Sequence, residues 1–74
     1  MSTTPFNVFT EVVNTYNRYA AHPYLREGQK WFSALYDVNR NIAMKIVGNK
    51  NLDPFYKDDN LPNFFIWLSN IKNS

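Results

Sequence analysis

Leu61-Pro62-Asn63-Phe64-Phe65-Ile66-Trp67-Leu68-Ser69-Asn70-Ile71 is the stretch that decides the fold class. Leu61, Phe64, Phe65, Leu68 and Ile71 recur at spacings of three or four, the period of one face of an α-helix, and Trp67 widens the stripe. Pro62 is tolerated in a first helical turn, and Asp58 and Asp59 just upstream suit the positive end of a helix dipole. The stretch therefore predicts a helix over 61–71 that opens at Asn60 or Leu61 and runs into a polar tail, Lys72-Asn73-Ser74.

Working back from it, residues 49–60 read as a loop. Asp53-Pro54 is a turn signal, and Phe55 and Tyr56 are expected to plug the loop into the core. Upstream, Trp31, Phe32, Leu35, Tyr36 and Val38 predict a helix over 28–38, with Lys30, Ser33 and Asp37 on its polar side. Were that helix to continue unbroken, Met44 would fall on the polar face with Asp37, since seven residues is nearly two full turns. Asn39 gives a better account: it caps a new helix over 40–47 with Ile42, Ala43, Ile46 and Val47 inward, ended by Gly48 in the left-handed region. A continuous helix remains the alternative. His22-Pro23 breaks the chain before this point. Before the break, Thr4 as cap, Pro5 at the first position and Phe6, Phe9, Val12, Val13, Tyr16 and Tyr19 at helical spacing predict a helix over 5–20.

The expectation is a single all-α domain over residues 1–74, with three or four short helices packed around an aromatic-rich core. A chain of this length buries only about 60% of the surface its unfolded form exposes. It has no cysteine, so disulfides and thiolate zinc sites are excluded. Six Phe, five Tyr and two Trp supply the compensating apolar surface. They are also too many rings for so small a body to hide, and Tyr and Trp are typical contact residues. Asparagine is abundant and scattered, with no evident physical demand.

Nothing in the chain assembles into a reaction centre. Asp58 and Asp59 are neighbours on a loop and point apart, and acid–base chemistry needs two groups at one substrate. Asp53, Asp58, Asp59 and Asn60 lack the alternating oxygen ligands, glycine and closing glutamate of a calcium loop. His22 stands alone, neither Ser33 nor Ser69 has a base, and Gly28 and Gly48 are isolated. No enzyme activity, metal or cofactor is implied. The net charge of +2 comes from eight basic and six acidic residues spread along the chain, without a basic run. No polybasic segment, targeting signal or membrane span is present, so no membrane partner is expected.

The candidate interaction residues are rings at element edges, Tyr24, Tyr36 and Tyr56, with Arg26 and Lys30 as cations near Tyr24. The expected partner is a protein. Stacking of bases on Tyr24 beside Arg26 and Lys30 is the nucleic-acid alternative, and self-association into a homo-oligomer is another outcome.

The central block resembles a pattern in short proteins of tailed phages and prophages, Arg-x-Gly-Gln-x-x-Phe-x-x-Leu, then Asp-Pro-Phe-Tyr, then Leu-x-x-Phe-x-x-Trp-Leu. The matching residues are Arg26, Gly28, Gln29, Phe32 and Leu35; Asp53, Pro54, Phe55 and Tyr56; and Leu61, Phe64, Trp67 and Leu68. One departure is Arg40-Asn41, where that group often has Arg-Pro. The resemblance, from about Phe6 to Leu68, implies a phage origin and no particular activity. It fits a small non-catalytic protein that binds and modulates a host or phage protein in the cytoplasm of the infected cell, with a minor virion component as an alternative.

Overall fold

The computed structural model describes residues 8–71. Four α-helices follow one another: α1 (Val8–Tyr16), α2 (Glu27–Val38), α3 (Arg40–Met44) and α4 (Leu61–Ser69), the last preceded by a 3-10 turn at Asp58–Asn60. No strand occurs among the described residues. The expected Thr4 cap, Pro5, Phe6 and the 72–74 tail lie outside them.

Helix α2 is the central element, packed on α1 along one side and α3 along another, while α1 also meets α4. Val8 and Val12 of α1, Ala34 and Leu35 of α2, Ala43 and Ile46 around α3, and Phe64 and Leu68 of α4 are all 3% exposed or less. The innermost layer is thus mostly aliphatic. Most rings form a collar around it: Phe9, Tyr16, Trp31, Phe32, Phe65 and Trp67 pack against it half-buried. Trp31 joins two helices, stacked on Tyr16 (centroids 3.9 Å apart, 13° between planes) and edge-on to Phe65 at 4.9 Å. Pairs of this geometry add to what area burial alone supplies.

Asn39 separates α2 from α3. Its backbone is extended (φ −157°, ψ 98°), its N–H closes α2 on the Leu35 carbonyl, and its Oδ1 accepts from the Ile42 N–H at 3.1 Å. One asparagine ends one helix and caps the next.

Three helices are shorter than their periodicity suggests. Helix α1 ends at Tyr16 rather than Ala20, because the chain tightens into i→i+3 bonds at Arg18, Tyr19 and His22. That turn brings the Ala20 carbonyl over α2, where Lys30 Nζ donates to it at 2.8 Å. Helix α3 ends at Met44 rather than Val47, again through i→i+3 bonds, which turn Ile46 inward and leave Val47 47% exposed. Helix α4 ends at Ser69 rather than Ile71, with Asn70 as its C-cap. Gly48 has φ 79°, the left-handed conformation that reverses the chain.

The asparagines are not idle. Asn49 Oδ1 accepts from the N–H groups of Asn51 and Leu52, and the Asn63 amide reaches the Asn51 carbonyl. Asn60, expected at the mouth of α4, is 8% exposed and caps nothing there. Its amide donates to the carbonyls of Lys50 and Asp53, both at 2.9 Å, which ties the loop closed.

Candidate functional site

The blocks around Gly28 and Pro54, far apart in sequence, form one junction. Arg26 precedes α2 with extended backbone (φ −74°, ψ 164°) but carries no acceptor to cap it. Gln29 Oε1 takes the Arg26 N–H at 2.9 Å, half of a capping box. The other half arrives from across the fold: Asp58 Oδ1 accepts from the Gly28 N–H at 2.9 Å. Asp58 also pairs with the Arg26 guanidinium at 2.9 Å, whose other nitrogen donates to the Phe55 carbonyl at 2.6 Å. The acid expected to favour α4 therefore serves α2.

Gly28 is required by contact rather than by φ. A Cβ on it would lie 2.0 Å from the Pro54 carbonyl oxygen. The Asp53 carboxylate is held inside the same loop, accepting from Gly48 N–H at 2.8 Å and Phe55 N–H at 2.9 Å.

This junction sets Phe55 against Phe32, edge to face at 5.7 Å. Phe32 continues to Tyr36 at 6.4 Å and Phe55 to Tyr56 at 5.7 Å. Four rings, Tyr36–Phe32–Phe55–Tyr56, form a continuous ridge from the last turns of α2 to the loop. Its middle is half-buried, while its ends are open: Tyr36 is 40% and Tyr56 68% exposed. The expectation that Tyr56 plugs the core is thus corrected; Pro54 is the apolar loop residue that is buried, along with the polar Asp53 and Asn60. Shallow recesses flank the ridge. One of about 180 Å³ is lined by Phe32, Val47, Asp53, Phe55 and Tyr56. Another of about 250 Å³ lies between Tyr19, Phe32, Tyr36 and Asp37.

Of the expected surface residues, Tyr36 and Tyr56 belong to this ridge. Tyr24 is 87% exposed but stands apart, its one ring contact among the described residues being edge-on to His22. Arg26 is committed to the junction beneath Phe55. Lys30 is not a surface cation at all: it is 8% exposed, with Nζ bonded to the Ala20 carbonyl and Glu27. Its long stem fills space between α1's exit turn and α2, which its place among polar neighbours does not reveal. The stacking group of Tyr24, Arg26 and Lys30 is therefore not assembled. Sequence reasoning missed Phe32, Phe55 and Val47 as surface lining. The adjacent rings after Asp53-Pro54 were the available signal, since a tight turn cannot bury both.

A second polar cluster joins α1 to α2. Tyr16 donates its hydroxyl to Glu27 at 2.6 Å, and Tyr19 donates to Asp37. The bond to Glu27 pushes the Tyr16 phenol up to about 12, with desolvation and the carboxylate charge adding to it, and Tyr19 is raised for the same reason by Asp37. Glu27 is lowered, chiefly by the Tyr16 hydroxyl and then by Lys30. Both members of the Tyr16–Glu27 pair move away from neutrality, the opposite of what a general acid or base working near pH 7 needs.

No group of three metal-ligating side chains occurs among the described residues, and no described helix is long and apolar enough to cross a membrane. No protein-family model, curated protein or solved structure matches the chain.

Proposed function

We propose that this chain is a small non-catalytic protein of phage type that docks on another protein, of host or phage, in the infected cell and modulates it. The observation that carries this reading is the open aromatic ridge of Tyr36, Phe32, Phe55 and Tyr56. Exposed tyrosines beside half-buried phenylalanines are what interface anchors look like before a partner arrives. The recesses beside the ridge, about 180 and 250 Å³, fall below the 300–1,000 Å³ usual for small-molecule sites and suit single side chains. The titratable pair nearest to a chemical site, Tyr16 and Glu27, is tuned away from neutral proton transfer.

The test is affinity capture from infected cells with the natural chain and with a Tyr36→Ala/Tyr56→Ala variant. Both tyrosines are exposed, so the variant should melt within a few degrees of the natural protein while losing its partner. Capture of the same partner by both proteins, or of no specific partner by either, defeats the proposal.

A further inference from the structure

Four of the eight basic residues lie in one stretch of the chain, and the fold sets three of those four beside the ridge. Between residues 40 and 57 lie Arg40, Lys45, Lys50 and Lys57 against a single acid, Asp53. Asp53 is 2% exposed and has both oxygens bonded to loop N–H groups. The two ion pairs among the described residues use Arg26 and Lys30, so none of these four cations has a carboxylate partner there.

Three of them stand at the ends of the ridge. The Arg40 guanidinium carbon lies 5.9 Å from the Tyr36 ring centroid, within cation–π range. At the far end, Lys50 and Lys57 line a recess of about 280 Å³ beside Tyr56. Between the ends is the recess of Phe32, Val47, Asp53, Phe55 and Tyr56, where the Asp53 carboxylate is buried and bonded to loop N–H groups and the rest of the lining is apolar, with room for one anchoring side chain. The pattern is cation, apolar slot, cations.

Resting on the docking role proposed above, we infer that the occupant of this face is an acidic protein segment: one large apolar or aromatic anchor flanked on both sides by Asp or Glu. Charge complementarity excludes the simplest rival. A second copy meeting this face across a two-fold axis with the ridges antiparallel would set Arg40 against Lys50 and Lys57, like against like. Single-stranded nucleic acid fits less well. Phe32 and Phe55 cover each other edge to face instead of offering open faces on which bases could stack.

Fluorescence anisotropy on the full chain tests this with four labelled probes. They are a short Asp/Glu peptide with a single central Phe anchor, the same peptide with that Phe replaced by Gly, the anchored peptide with its acids replaced by Lys, and an oligothymidylate. The anchored acidic peptide should bind saturably and weaken as salt rises. The anchorless and Lys peptides should bind at least about tenfold more weakly, and Lys50→Glu/Lys57→Glu should reduce affinity for the anchored acidic peptide by about tenfold or more. Circular dichroism of that variant should match the natural protein, because both side chains are exposed. Tighter binding of the oligothymidylate, equal binding of the Lys peptide, or no saturable binding of the acidic one overturns the inference. If the acidic peptide fails while Tyr36→Ala/Tyr56→Ala still abolishes partner capture, the docking role stands and only the acidic occupant falls.

Discussion

The Asp58 carboxylate accepts a hydrogen bond from the Gly28 backbone N–H at 2.9 Å, across thirty residues of sequence. Helix α2 is therefore capped by a residue from the far side of the loop. The same oxygen faces the Arg26 guanidinium. Because those two side chains are 46% and 43% exposed, the ion pair contributes little, and the cap carries most of the effect.

Asp58→Ala should destabilise the fold by about 1–2 kcal/mol, the usual range for losing an N-terminal cap acceptor together with a weak surface pair. Asp58→Asn keeps an oxygen for Gly28 and should retain most of that stability. Urea unfolding of the three proteins decides it; equal losses for both variants would place the effect in the ion pair instead.

Gly28→Ala and Gly48→Ala should both destabilise, for different reasons. At position 28 the new methyl meets the Pro54 carbonyl oxygen and forces α2 off the loop, a cost of about 1–3 kcal/mol from overpacking. At position 48 no atom lies within 4 Å, and the cost of about 1–2 kcal/mol comes from φ 79° alone. Asparagine tolerates that conformation, so Gly48→Asn should recover part of the loss, whereas Gly28→Asn should not. Denaturation midpoints of the four variants measure this.

The Tyr16–Glu27 bond should give stability two pH limits. The Tyr16 phenol is raised in the folded state, so its contribution is complete below pH 10 and is lost as pH climbs toward about 12. Glu27 is lowered, so its contribution is complete above its ordinary value of 4.5 and is lost as pH falls below that. The difference in stability between the natural chain and Tyr16→Phe should therefore be largest from about pH 5 to 10 and shrink on both sides. A difference that stays constant from pH 4 to 12 would refute the coupling.

Lys30→Ala should cost about 2 kcal/mol, through the lost stem packing and the vacated Ala20 carbonyl. Lys30→Met, which keeps the stem, should cost less than half as much, because Ala20 is exposed and water can replace the ammonium. Neither change should affect partner capture, since Lys30 is away from the ridge. Loss of capture by a folded Lys30→Met protein would restore it to the interaction surface.

The helices were legible because their information is local. The stripe of Phe64, Phe65 and Leu68 marks α4, and Asn39 can end one helix and open another because a single side chain and its own backbone suffice. The asparagines and Asp58 were not legible. Each bonds to backbone at a site set by how the loop returns, and sequence spacing carries nothing about that. Lys30 looked like a surface charge because its neighbours on that helix face are polar; its burial depends on where the exit turn of α1 crosses α2. The ridge was half visible. Tyr36 and Tyr56 were candidates as edge rings, but the phenylalanines joining them read as ordinary core.

A helix whose first turn is held by a distant aspartate also constrains the order of events during synthesis. While the ribosome still conceals Asp58, the nascent chain has α1 and most of α2 but no acceptor for the Gly28 amide. The opening turn of α2 stays frayed, and the Phe32–Phe55 contact has no second member. The aromatic ridge therefore forms only after the segment through Asp58 has left the ribosome, so a product truncated before Asp58 would display neither a finished α2 nor the proposed docking surface.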